Sequence, residues 1–225
     1  MKLMNKISRG LRKFCLQPVR VYCFHHICKK YDGEWMHECD WMSIEEFQRK
    51  VLELKRRGVV FVSLTEAYRL ICMNRIRFRK YAVVTFDDGY ATIKEILSWL
   101  KEQDIPATLF VNTDYAAGKA HRESDKEQYL STDELALLDV EIGMHGLRHV
   151  DVSAMNENVF REFAKKTVQQ TSDINHSSFI PFWAYTWGRY NAMTEKVLRE
   201  KGIVSVRIDG MKNYNDTNCI HRELL

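Results

Sequence analysis

Seven short runs of β-branched and apolar residues alternate with segments of helical period along this 225-residue chain. Parallel strands need crossover connections, so this order implies a parallel sheet flanked by helices. The runs are Val19 to His25, Val59 to Leu64, Ala82 to Phe86, Ala107 to Asn112, Val140 to Met144, Phe179 to Tyr185 and Ile203 to Ile208. Closure of these strands into an α/β barrel is the preferred form, with an open sheet as the alternative that pattern alone leaves standing.

The helical segments carry their own punctuation. Ser43 and Glu46 read as a capping box opening a helix whose apolar face is Ile44, Phe47, Val51 and Leu54, and Gly58 stops it. Further helices are expected from about Glu66 to Met73, around Ile93, Ile96, Leu97 and Leu100, after the Ser131–Glu134 capping box, through Phe160 to Thr171, and from about Thr194 to Lys201. Thr113 to Leu130 has many charges and no period, and reads as an excursion over the barrel mouth. The tail from Asp209 to Leu225 reads as irregular.

The length suits a single domain with one sizeable core. Hydrophobic content of 45% and charged content of 28% are ordinary for a globular chain, and a net charge of +4 is no nucleic-acid signature. No stretch approaches the ~18 apolar residues of a membrane helix. The basic segment from Met1 to Phe14 lacks the continuous apolar stretch of a secretory signal; it reads as a frayed or packed start, with weak peripheral membrane contact as the alternative. Cys15, Cys23, Cys28, Cys39, Cys72 and Cys219 are then expected as reduced thiols in a cytoplasmic protein. Nothing in the chain indicates an oligomeric state.

In a parallel array the strand ends share one face. They bring His25 and His26, Asp87 and Asp88, Asn112, His145, Tyr185 to Trp187, and Asp209 to one mouth. Asp and His bind divalent metals and move protons near neutral pH. Taken alone, Asp87-Asp88-Gly89 also fits a turn capping the next helix, and His145 and His149 also fit a polar loop. A second grouping, Cys23, His25, His26, Cys28, His37 and Cys39, is the alternative as a structural zinc site, but its spacing fits no strong zinc pattern.

Thr85-Phe86-Asp87-Asp88-Gly89-Tyr90 matches, residue for residue, the first motif of the polysaccharide deacetylases, the NodB-homology carbohydrate esterases, and the chain resembles that family. His145-x-x-x-His149 matches the second motif in spacing, with Gly146 where the family has Ser or Thr. The third motif is altered. In Ala184-Tyr185-Thr186-Trp187-Gly188-Arg189-Tyr190-Asn191, Ala184 stands in the arginine slot and Thr186 in the proline slot, while Gly188 and Tyr190-Asn191 resemble the biofilm-polysaccharide branch. The resemblance runs roughly from Val19 to Asp209.

It implies a distorted seven-stranded (β/α) barrel that removes acetyl groups from N-acetylated sugars of a poly- or oligosaccharide with a divalent metal. Asp88, His145 and His149 are the implied ligands, leaving an open position; Zn2+ is the first choice, with Co2+, Ni2+ or Mn2+ also suiting the donors. The four-residue separation is expected to bring both histidines together across a helical turn. Asp87 is the implied general base, His221 the leaving-group acid, and Asp209 its orienting partner. Trp187 is expected to offer its amide to the oxyanion and its indole to a sugar face, with His25, Tyr185 and Tyr190 lining the substrate site. Arg189 and Arg222 are the two candidates for the missing arginine beside Asp87. The altered motif also motivates a rival reading, a glycan-binding protein without catalysis; a third is hydrolysis of another acyl group such as formyl.

Overall fold

A computed structural model of the chain describes residues 18–31, 40–76, 79–121, 128–176, 178–214 and 216–225. The basic N-terminal segment, Cys15, His37 and Cys39 lie outside the described residues. The chain order begins β1 (Val19–Phe24), β2 (His26–Cys28), β3 (Trp41–Ser43), α1 (Ile44–Arg56), β4 (Val59–Phe61), α2 (Leu64–Cys72), β5 (Lys80–Phe86) and α3 (Lys94–Glu102). It continues with β6 (Ala107–Val111), α4 (Thr113–Ala116), α5 (Thr132–Leu137), β7 (Glu141–Met144), α6 (Glu157–Ile174), β8 (Phe182–Ala184), α7 (Ala192–Glu200), β9 (Val204–Ile208) and β10 (Cys219–Leu224).

The main sheet has eight strands in the order β1-β10-β9-β8-β7-β6-β5-β4, and β1 also pairs with β5. That extra pairing, from Val19–Tyr81 to Phe24–Phe86, closes a ring of seven parallel strands and leaves β4 outside it. Two expectations are thereby corrected. The run from Val59 to Leu64 is a strand only to Phe61, pairing with the start of β5. Ser63 then caps α2 by accepting from the Glu66 amide, which turns Leu64 into the helix.

The tail is the second correction. It is not irregular throughout: Cys219 to Leu224 form β10, parallel to β9 and β1, and this strand completes the barrel. His221 and Arg222 interrupt its apolar pattern, so period alone conceals it. Both are buried, because each finds a carboxylate partner in the fold.

Alternation of side chains sorts the core into layers. Val21, Val83, Phe110, Phe182, Ala184, Val206 and Ile220 pack together inside the ring, joined by Leu64, Ala67 and Ile71 of α2. Tyr22, Val84, Leu109 and Ile142 face outward onto Phe47 and Val51 of α1 and Ile96 and Leu100 of α3. Met144, Trp183 and Tyr185 face outward onto Phe160 and Ala164 of α6 and Val197 and Leu198 of α7. Each such buried side chain contributes roughly 1.5–3 kcal/mol of transfer free energy, so apolar packing on both faces holds most of the ring in shape, while the outer faces of β9 and β10 carry Ser205, Arg207, Cys219 and His221. Among the described residues, no helix is long and apolar enough to cross a membrane.

Candidate metal centre

β5 ends at Phe86, and the next two residues diverge. Asp87 continues the inward register, with its amide donating to the Phe24 carbonyl at 2.9 Å. Asp88 and Gly89 take left-handed backbone, with φ of 68° and 80°. Asp tolerates that region better than most residues. The bend aims two adjacent carboxylates at different partners.

The Asp88 carboxylate meets the loop after β7. His145 Nε2 is 3.4 Å and His149 Nε2 3.5 Å from Asp88 Oδ1. One ligand atom from each of the three residues falls within 4.8 Å of the others. His145 Nδ1 is 2.9 Å from the Ala184 carbonyl. A carbonyl only accepts, so Nδ1 carries the hydrogen and Nε2 keeps its lone pair toward Asp88.

The loop is not a helical turn, contrary to the sequence expectation. Residues 145–150 follow an irregular path. Asn112 Nδ2 donates to the His145 carbonyl at 2.8 Å, and the amides of Thr113 and Asp114 donate to the carbonyls of Gly146 and Leu147 at 3.1 and 2.8 Å. Gly146 has φ of 98°, and a Cβ there would lie 3.1 Å from the Phe163 ring and 3.2 Å from the Arg148 carbonyl. The residue that departs from the family pattern is thus the one this loop path requires, and α4 does the tethering.

Asp87 is engaged on the opposite side. Arg222 donates from both terminal nitrogens, to Oδ1 at 2.6 Å and Oδ2 at 2.7 Å, and from one of them to Thr85 Oγ1 at 3.2 Å. Its guanidinium also lies 5.1 Å from the Phe110 ring centroid. Burial alone would raise the Asp87 carboxyl; Arg222, with the His145 and His25 imidazoles, holds it below the usual carboxylate range. Asp88 is likewise drawn down against its burial, by His145 and His149. His145 is raised, because the two carboxylates outweigh the effect of burial. Cys23 donates to Asp87 Oδ2 at 3.5 Å, and burial pushes its thiol well above its ordinary value.

The donor set fits a divalent cation. Asp88 Oδ1 is buried with no hydrogen-bond partner, a costly state for a carboxylate oxygen. With the two imidazole nitrogens that face it, this oxygen makes up a donor set that zinc-like ions take.

The remaining expected residues fall into two groups. His25 joins the site, with a ligand atom within 4.8 Å of those of Cys23 and Asp87 and its Nδ1 3.8 Å from Asp40 Oδ1. Trp187 also reaches it: its ring meets that of His149 edge-on at 4.4 Å and is 54% exposed, and its backbone is left-handed at φ 52°. Tyr185 does not. Its strand parity turns it outward, it is buried in the α6–α7 layer, and burial raises its hydroxyl strongly. Tyr190 stacks on Tyr185 at 5.3 Å and carries Arg207 over its ring, so it too belongs to the outer layer.

His221 and Asp209 do pair, Nδ1 to Oδ2 at 2.7 Å. Yet His221 lies on the face of β10 opposite to inward-facing Arg222, and its Nε2 is directed to Cys219 at 3.4 Å. This geometry removes both from the role of leaving-group acid and orienter. Arg189 pairs with Asp151 at 3.0 Å, so Arg222 alone of the two candidates serves Asp87. Of the described members of the cysteine-histidine grouping, His26 stacks on Tyr90 at 4.0 Å and Cys28 Sγ donates to the Lys30 carbonyl at 3.2 Å, so they do not gather around Cys23 and His25. Cys23, Cys28, Cys72 and Cys219 are free thiols.

A family profile described as polysaccharide deacetylase matches residues 76–206, more than half of the chain. Comparison with curated proteins returns no match. The structure of IcaB from Ammonifex degensii superposes with a TM-score of 0.78 at 22% identity, covering 94% of each chain. The Streptococcus pyogenes deacetylase PplD, solved in complex with acetate, gives 0.80 at 19% identity, covering 92% of each chain. A de-N-acetylase from Aggregatibacter actinomycetemcomitans gives 0.77 at 15% identity, covering 93% of this chain and 95% of that one. At these identities the likeness is one of fold.

Proposed function

The chain belongs to the polysaccharide deacetylase family, and on that premise we propose that it is a metal-dependent hydrolase removing acetyl groups from N-acetylated sugars of a glycan. The observation that carries the reading is the division of labour between adjacent carboxylates. Asp88 faces two imidazoles with an unpartnered oxygen, while Asp87 is held ionised by Arg222.

Asp88, His145 and His149 would hold a divalent cation, which when bound would supply Lewis acidity toward the acetyl carbonyl and toward water. Zn2+ is the ion we favour, with Co2+, Ni2+ and Mn2+ as alternatives for this donor set. Asp87 accepts the proton of the attacking water. Arg222 keeps that carboxylate charged and oriented, at some cost in basicity. His25, on the side of Asp87 lined by Cys23, replaces His221 as the group that returns a proton to the departing amine. The amide of Trp187 donates to the developing oxyanion, and its exposed indole gives a sugar ring a flat apolar face. The free thiols suit the reducing compartment of a cytoplasmic protein.

The impaired glycan-binding reading rested on the altered third motif. Arg222 supplies from β10 the charge that Ala184 cannot, which favours the catalytic reading. The test is acetate release from N-acetylglucosamine oligomers by zinc-loaded protein, alongside N-formyl counterparts. Release that chelation removes is expected, with the acetyl substrate preferred. Sugar binding without turnover across the panel would overturn the proposal.

A further inference from the structure

A second group of metal-ligating side chains lies on the outer face of the barrel. Residues alternate along β10, so Cys219 and His221 point away from the interior that Arg222 occupies. Cys219 Sγ is 3.4 Å from His221 Nε2 and 3.8 Å from Asp216 Oδ2. Ligand atoms of Asp216, Cys219 and His221 all fall within 4.8 Å of one another. In a tetrahedral zinc site the ordinary bond lengths place sulfur about 3.6 Å from its nitrogen and oxygen neighbours, and the two measured distances bracket that spacing.

Two of the three ligands, His221 and Asp216, are also held from behind. Asp209 Oδ2, 2.7 Å from His221 Nδ1, fixes the hydrogen there and leaves the Nε2 lone pair toward the sulfur. Asp216 Oδ1 accepts from the amide and side chain of Asn218 at 2.9 and 3.0 Å, leaving Oδ2 turned toward Cys219. Asn213 brackets the His221 backbone, accepting from its amide at 2.8 Å and donating to its carbonyl at 2.7 Å.

We propose that Asp216, Cys219 and His221 form a second site, for a thiophilic divalent cation of the zinc class, with Asp209 orienting His221. The site is separate from the Asp88 centre and independent of the deacetylase reading.

The sequence Cys219, His221, Asp209 also has the connectivity of a nucleophilic triad. Two observations disfavour that use. Cys219 is buried, with 2% of its surface exposed, and its Sγ is directed to Asp216 as well as to His221 rather than toward an open cleft. A cation would instead hold it as thiolate. The surrounding charge agrees: among the described residues, the carboxylates of Asp209, Asp216 and Glu195 act on Cys219 beside Arg207, which is itself bound to Glu195 at 2.7 Å. Occupancy would pin the connection carrying Asp216 to β10, the strand that presents Arg222 to Asp87.

Co2+ titration of the full chain, carried out in a Cys23→Ala background that removes the thiol beside Asp87, separates the two sites, because the Asp88, His145 and His149 donor set contains no sulfur. A sulfur-to-cobalt charge-transfer band is expected in this background and with His149→Ala added, and is expected to vanish with Cys219→Ser or His221→Ala. Asp209→Asn is expected to weaken the Co2+ binding read by that band roughly 10- to 100-fold. Absence of the band in the Cys23→Ala background, or its persistence with Cys219→Ser, would overturn the assignment. Should the buried substitutions fail to fold, Asp216→Asn on the exposed ligand decides: unchanged Co2+ affinity of the sulfur site would also overturn it.

Discussion

Arg222 grips Asp87 through two hydrogen bonds of 2.6 and 2.7 Å, in a place where the arginine has no exposed surface. The two residues are 135 positions apart. Removing one member of a buried pair strands the other's charge and typically costs about 3–5 kcal/mol. Arg222→Met is therefore expected to lose stability of that order and to abolish acetate release. The double variant with Asp87→Asn should regain much of the stability and none of the activity. Urea denaturation of the wild type, both single variants and the double variant measures the coupling.

The same pair sets an acid dependence. Asp87 sits below its ordinary value of 3.8 in the folded protein, so the unfolded chain binds its proton first. Its stabilisation is complete above that value and drains away as pH falls through the folded pKa. Asp88 acts in the same sense. Metal-free protein should lose thermal stability steeply below about pH 4, and Asp87→Asn should flatten that slope. Melting temperatures from neutral to acidic pH check this; equal slopes would contradict it.

Gly146 offers a counter-intuitive test. Introducing the family's serine at this position forces a side chain onto backbone at φ 98°, against Phe163. Gly146→Ser is expected to destabilise by about 1–3 kcal/mol and to weaken metal binding through His145 and His149. Calorimetric titration with Zn2+ beside a melting curve reads both effects.

Trp187 is exposed, meets the His149 ring in a T-shaped contact and has the Arg189 guanidinium 5.6 Å from its ring centroid. Trp187→Ala should change stability by no more than about 0.5 kcal/mol while raising KM for N-acetylated oligosaccharides. A KM unchanged across oligomer lengths would remove the indole from substrate recognition.

Legibility followed distance along the chain. Asp87, Asp88, His145 and His149 sit at strand ends in short motifs, so local pattern is enough to expect them at one mouth, where the structure brings them together. β10 was not legible, because its charged residues make sense only against partners far away in sequence. Tyr185 illustrates the converse. It lies within a recognisable motif, yet strand parity sends it to the outer layer, a fact that depends on the strand's register. The loop at His145 departs from the helical expectation because the spacing of two histidines does not distinguish a turn of helix from a loop pinned by a neighbouring segment. Cys219 was visible only as an isolated thiol until Asp216 and His221 were brought beside it.

The proposed chemistry needs one cation held by three side chains next to Asp87. Zinc-soaked crystals recorded at the metal's absorption edge would locate it directly. The expected map has an anomalous peak about 2.0–2.2 Å from Asp88 Oδ1, His145 Nε2 and His149 Nε2, with Asp87 still on Arg222. At saturating zinc, a map without density among those three atoms would contradict it.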